Sequence, residues 1–244
     1  MSIFDKFLRI RELGIFSIII IVVIAASIID SRFLTIDSWR AVFLAIPLIL
    51  VMAMGQMMVI ICRHVDISIG SILAFAAITI GFVFIHYPNT SLFMALLITA
   101  SVGTIMGLVN GIIVTRFNVH SIIVTLGTLS LYRGLVFIVS GGRQIDRNDI
   151  PVHIISFSQT SFLFSIPAIL ILSVIIVLIT HLIMRHSVLG REIYATGSNP
   201  EAAHLKGINV TKVTLFCFGV CGMLAGVAGL FYASRFGYVN PGVT

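Results

Sequence analysis

Charge is what this sequence has least of. Of its 244 residues only 10% are Asp, Glu, Lys or Arg, where a soluble globular domain carries about 25%. So few charges cannot furnish a water-facing surface, and a soluble domain is excluded. Acid is scarcer than base, with 9 Asp and Glu against 15 Lys and Arg for a net charge of +6. The bases are scattered, which excludes a nucleic-acid surface and makes them topology signals instead. Cysteine is scarce too. Cys62, Cys217 and Cys221 lie in or beside apolar runs, so no disulfide framework follows. Cys217 and Cys221 are four apart on one helix face, but no other Cys/His pair has matching ligand spacing, and no metal site is expected. No GxxxxGK(S/T) segment occurs, so the chain does not itself bind ATP through a P-loop. Pro200-Glu201-Ala202-Ala203-His204 lacks the first His of a zinc-protease HExxH. The 7 His residues are dispersed, no nucleophile–base pairing is visible, and no catalytic residue is assigned.

Apolar sequence is what the chain has in abundance: 59% of residues, with a mean hydropathy of +1.15. Apolar segments lie near 14–30, 40–62, 67–86, 91–115, 120–139, 163–184 and 213–234, and crossing the hydrocarbon takes about 20 helical residues. The expectation is an all-α, polytopic transmembrane helical bundle of about seven spans, one domain over 1–244. Lys6, Arg9 and Arg11 precede the apolar run Ile15–Ile29. That resembles a signal peptide, but further spans follow and no small-residue cleavage site ends the run, so an uncleaved first span is expected. With the N-terminus in the cytoplasm, the inner side receives Lys6, Arg9, Arg11, Arg63, Arg116, Arg185, Arg191, Lys206 and Lys212. The outer side receives Arg32, Arg40, Arg143, Arg147 and Arg235, and Arg133 stays inside the fifth segment. The positive-inside bias favours this orientation.

Four stretches could carry function. In Arg63-His64-Val65-Asp66-Ile67-Ser68, Asp66 and Ser68 sit at a hydrocarbon boundary, where an ionisable group is costly and functional by default. Asp66 could equally cap the helix that follows. Gly103 and Gly107 make a small-xxx-small face for close helix packing, with Asn110 placed to hydrogen-bond across it. Thr125, Gly127, Thr128, Ser130 and Arg133 crowd one span with polar groups, tolerable only against protein or a watery cavity. The longest polar interruption runs from Arg185 to Lys212. Within it, Asn199 to Gly207 reads as a short helix marked at both ends. Asn199 is an N-cap, Pro200 suits the first turn, Glu201 and Lys206 complement the dipole, and Gly207 permits a left-handed stop. Ala202 and Ala203 leave room for close approach by a partner.

Together these residues resemble the permease subunit of bacterial sugar ABC importers, in the ribose, rhamnose and autoinducer-2 branch. Arg63 to Ser71 reads RHVDISIGS against a GGxDLSVGS-like segment. Thr125 to Thr128 with Arg133-Gly134 matches TLGT…RG, and Gly190 to Val210 follows GRxxYAxGxNxxAAxxxGIxV nearly throughout. The chain departs from the pattern where Arg63-His64 replaces a Gly pair, and where His120-Ser121 replaces prolines. The resemblance implies a bacterial inner-membrane protein set in lipid and a separate ABC ATPase subunit that binds the ATP. It also implies a second permease subunit, identical or not, and a periplasmic sugar-binding protein. Gly190, Arg191, Asn199, Glu201, Ala202, Ala203 and Gly207 become the ATPase-coupling residues. Asp66, Ser68, Thr125, Gly127, Thr128 and Arg133 become path-lining or structural ones. Relatives of this kind continue with further spans, so a shortened chain is expected. An ion-driven secondary transporter and an inactive remnant are the alternatives.

Overall fold

A computed structural model describes residues 11–159, 161–162 and 166–242. Lys6 and Arg9, the start of the segment at 163–184, and Val243 and Thr244 lie outside the described residues. Among the described residues ten α-helices follow one another: α1 Arg11–Ile29, α2 Ile36–Ile61, α3 Ile69–His86, α4 Leu92–Phe117, α5 Ser121–Ser140, α6 Val152–Gln159, α7 Ala168–His186, α8 Val188–Ser198, α9 Pro200–Leu205 and α10 Val210–Phe236. Two short strands, β1 Ser161–Phe162 and β2 Ile166–Pro167, pair antiparallel ahead of α7. Six helices (α2, α3, α4, α5, α7 and α10) are long and apolar enough to cross a membrane. In α1 the apolar part is the shorter Leu13–Ile29, because Arg11 and Glu12 occupy its first turn.

Local chemistry sets the ends. Ser91 accepts from the Met94 N–H at 3.3 Å, Ser187 from Gly190 at 2.9 Å, and Asn209 from Lys212 at 3.0 Å, each satisfying an orphan donor of a first turn. At the other ends, Asn118 (φ 51°) and Gly141 (φ 59°) take the left-handed conformation. Pro47 sits inside α2. It lacks the N–H that would meet the Phe43 carbonyl, and the chain divides into two compact units between Phe43 and Leu44. The first unit holds α1 and a 3₁₀ turn at Ser31–Leu34, where Asp30 Oδ1 accepts from the Arg32 N–H at 2.8 Å.

The second unit is organised around α10, which supplies buried residues to all four apolar clusters. Its closest neighbour is α4. A Cβ on Gly103 would strike the carbonyl of Gly222, one on Gly107 the carbonyl of Phe218, and one on Gly226 the carbonyl of Thr99. Only glycines allow backbones this near, so dispersion contacts and weak Cα–H···O interactions replace side-chain packing. The connections sort into two ends. At one, Cys62–Ser68, Asn118–His120 and the start of α10 share a cavity wall with Pro200. At the other, His153 Nε2 bonds the Thr90 carbonyl at 2.9 Å, Ile145 pairs with Val239, and Ser158 Oγ donates to the Ser234 carbonyl. Helices α3, α4 and α5 run alternately between them, as successive crossings of a bilayer require.

Candidate functional site

The first end is built on α8 and α9. Asn199 Oδ1 accepts from the Glu201 and Ala202 amides at 3.0 and 3.1 Å, which caps α9 with Pro200 in its first turn. The helix stops in a Schellman motif: Gly207 N–H to the His204 carbonyl at 2.9 Å, Ile208 N–H to Ala203 at 3.1 Å, Gly207 at φ 83°. Of the two alanines, Ala203 is turned inward at 3% exposure and Ala202 outward. The outer face therefore includes Glu201, Ala202, His204 and Leu205, the last 87% exposed. Gly190 is buried at the α7–α8 corner, where a Cβ would meet the Met184 and Ile183 carbonyls. Arg191 lies exposed, its Nη1 3.4 Å from the His186 carbonyl.

Helix α8 is seated on the end of α2. A Cβ on Gly197 would strike the Ile61 carbonyl. Beside it, Arg63 Nη2 donates to the Ser198 carbonyl at 2.6 Å. Arg63 stands at φ 65° in a second Schellman motif, with its N–H on Ile60 (2.9 Å) and the His64 N–H on Val59 (3.0 Å). This is where the sequence replaces a Gly pair. The left-handed backbone costs a non-glycine residue about 1 kcal/mol, and the charge-assisted bond to Ser198 offsets it. Cys62 Sγ lies 3.4 Å from Cys217 Sγ, a contact the sequence gives no reason to expect.

The Val65–Ser68 segment enters the protein interior, and its polar backbone groups must be matched there. Val65 is held by α5: its N–H donates to Ser121 Oγ at 3.1 Å and its carbonyl accepts from Thr125 Oγ1 at 3.3 Å. Asp66 is held by α2, through the Gln56 amide oriented to donate to its carbonyl (3.2 Å) and accept from its N–H (3.3 Å). The Asp66 carboxylate, 1% exposed, accepts from Ser68 N–H at 2.9 Å and Ser68 Oγ at 2.6 Å. Asn110 Nδ2 reaches Ser68 Oγ at 2.8 Å and Asp66 Oδ2 at 3.4 Å. The Tyr132 hydroxyl lies 2.9 Å from the Met106 carbonyl and 3.2 Å from Asn110 Oδ1. Burial pushes the Asp66 carboxyl above the usual carboxylate range, and the Ser68 and Asn110 hydrogen bonds pull against it. This closed knot draws on α2, α4 and α5 together. Within the unit it fixes a connection and exposes no reactive atom.

The sequence offered Asp66, Ser68, Thr125, Gly127, Thr128 and Arg133 as one group, and the structure separates them. Asp66, Ser68, Thr125 and Thr128 are buried; Gly127 and Arg133 are exposed. Gly127, Ser130, Arg133 and Gly134 form an exposed stripe on α5, with nothing within 4 Å of a Cβ placed on either glycine. Gly103, Gly107 and Asn110 all lie buried on α4. Gln56, Ser121 and Tyr132 were missed. The signal for Gln56 was present, a lone amide within the apolar run Val51–Ile61.

Comparison with known proteins extends this picture. Residues 39–244 match the family model described as branched-chain amino acid transport system / permease component. Curated relatives include the autoinducer 2 import system permease protein LsrC of Yersinia pseudotuberculosis serotype O:3 (strain YPIII), 32% identical over 212 residues. The same-named protein of Yersinia pestis (strain Pestoides F) is also 32% identical over 212 residues. Each alignment covers 87% of this chain and 59% of the relative, so the chain spans about three fifths of the length of the curated relatives it matches. No solved structure matches.

Proposed function

The chain belongs to the family of branched-chain amino acid transport system permease components, and on that premise we propose that it is a membrane-spanning subunit of an ATP-driven importer of monosaccharide-type solutes. A separate ATPase docks on α9, ATP being bound by that partner. The observation that carries this reading is α9 itself. It is a capped helix of six residues that presents Ala202 and the apolar Leu205 to the outside. Its base, α8, is pinned to α2 through Gly197 and Arg63. A rigid short helix of this kind transmits a displacement; a flexible loop would absorb it. ATP binding in the partner then shifts the population between inward-open and outward-open states.

Arg63, Arg116, Arg185, Arg191, Lys206 and Lys212 lie at or beside the α9 end, and Arg143, Arg147 and Arg235 towards the other, which favours the α9 end as cytoplasmic; a cytoplasmic N-terminus belongs to the same reading, on the bases Lys6, Arg9 and Arg11. The exposed Arg133 near the middle of the 20-residue α5 supports a second permease subunit and a watery path against that face. Facing lipid there, it would cost about 3 kcal/mol. Gly127 and Arg133 line the path, Asp66, Ser68 and Thr125 hold the Cys62–Ser68 connection in place, and Thr128, its hydroxyl on the Thr125 carbonyl, is structural. A periplasmic binding protein delivers the solute, for which autoinducer 2, ribose and rhamnose are the candidates, and the membrane is the bacterial inner membrane. Purification of the tagged chain from its native membrane in mild detergent, with mass spectrometry of its companions, tests the reading. Recovery of a P-loop ATPase that is lost with Ala202→Arg supports it. Uptake persisting with no ATPase bound overturns it in favour of an ion-driven carrier.

A further inference from the structure

We propose that the chain binds a phosphate-bearing small anion in the cavity enclosed by the Cys62–Ser68 connection and the first turns of α5 and α10. The cavity measures about 360 Å³ and its wall includes Arg63, His64, Asn118, His120, Ser121 and Thr211. That volume holds a phosphate group together with a sugar-sized body. Every ionisable side chain on the wall is a base, with no Asp or Glu among the lining residues. His64 and His120 are close enough that His120, after burial, helps hold the His64 imidazole below its usual range. Two bases set against each other with no acid between them are an arrangement that an anion relieves.

The geometry of the wall points the same way. One nitrogen of the Arg63 fork is anchored to the Ser198 carbonyl, which fixes the guanidinium at the cavity while its remaining donors stay free for a bidentate contact. The residue at the α5 N-cap, His120, makes no side-chain capping bond; the Ile123 amide is taken by the His120 carbonyl at 3.0 Å, and the Ser121 and Ile122 amides are open to an outside acceptor. Ser121 Oγ accepts from Val65 N–H, which leaves its own proton available to donate. Phosphate chemistry uses all of these donors at once. A neutral sugar would leave the Arg63 guanidinium without an acid partner on this wall.

Two sources could supply this chemistry, inorganic phosphate or a phosphorylated metabolite, and one experiment separates them. Calorimetric titration of the purified chain in mild detergent at constant ionic strength uses orthophosphate and glucose 6-phosphate as probes, with chloride and glucose as controls. Both phosphates are expected to bind and both controls to fail. Tenfold tighter binding of the sugar phosphate identifies a metabolite site, and equal binding a phosphate site. His120→Asn preserves the cap position, where Asn is favoured, so the variant keeps its fold. It should weaken phosphate at least tenfold without lowering the melting temperature, and Arg63→Gln should weaken it likewise while lowering the melting temperature, because the bond to Ser198 goes with it. Phosphate behaving like chloride, or binding unmoved in the His120→Asn/Arg63→Gln double variant, overturns the site. Neither outcome depends on whether an ATPase docks at α9.

Discussion

Helices α5 and α10 have similar apolar character, yet 78% of the most apolar stretch of α10 is buried within the chain and only 28% of that of α5. Hydropathy therefore identifies helices that enter the membrane and says nothing about which of them forms the core. Glycine placement does. On α10, Gly222 and Gly226 meet the backbone of α4, and most of the helix is closed in. On α5, Gly127 and Gly134 meet nothing and share their face with Ser130 and Arg133. The same residue type is a packing device in one helix and a bare surface in the other.

The sharpest way to break this contrast is to put the same bulk in both places. Gly222→Leu drives a side chain into the backbone of Gly103 and Gly107 and should cost at least about 3 kcal/mol. Gly127→Leu, in open space, should leave stability level or raise it by up to about 1 kcal/mol through better helix propensity. Thermal unfolding of the two variants in detergent compares them directly, and equal losses would dissolve the distinction. Arg133→Leu sharpens it next. If α5 faces a second subunit and a watery path, folding is retained and uptake falls at least tenfold. Full uptake in this variant would make the stripe an ordinary lipid-facing surface.

The smallest effect concerns the buried knot that α5 shares with α2 and α4. The folded state raises the Asp66 pKa, so the native protein holds this proton to higher pH than the unfolded chain does. The associated stability is present below the unfolded value, about 3.9, and is lost as pH rises through the folded one. Asp66→Asn imitates the protonated carboxyl and keeps an acceptor for Ser68. It should therefore match the wild type at low pH and exceed it in melting temperature at neutral pH. Subtracting the two pH profiles removes the contribution of His64, which runs in the opposite direction because its pKa is lowered. A wild-type-minus-variant profile that is flat or rises with pH would remove the buried carboxylate as a titrating group.

Much of this was legible in the sequence, for reasons that differ by region. The long helices follow from apolar length, and α9 from residues that each act within one turn: Asn199, Pro200 and Gly207. The Gly103–Gly107 pair announced a close contact but not its partner. Gly222 and Gly226 carry the same spacing, and a one-dimensional pattern does not say which two such faces meet. The inward turn of Ala203 was hidden because a six-residue helix has too few turns to show an apolar stripe. The knot was half visible. Asp66 advertised itself by charge, whereas Tyr132 and Ser121 are everyday residues until α4 and α5 bring them to Asn110 and Val65. In sequence the exposed stripe on α5 is indistinguishable from the buried threonines one turn away, because helical phase depends on neighbours the sequence does not name.

The glycine seam also has a consequence in time. Gly103 and Gly222 are 119 residues apart, and a ribosome adding about 5–20 residues per second delivers the second roughly 6–24 s after the first. Throughout that interval α4 waits in the bilayer with a strip of bare backbone turned to lipid. The nascent chain is most vulnerable to proteolytic surveillance before α10 emerges, and the maturation of α4 waits on that partner helix.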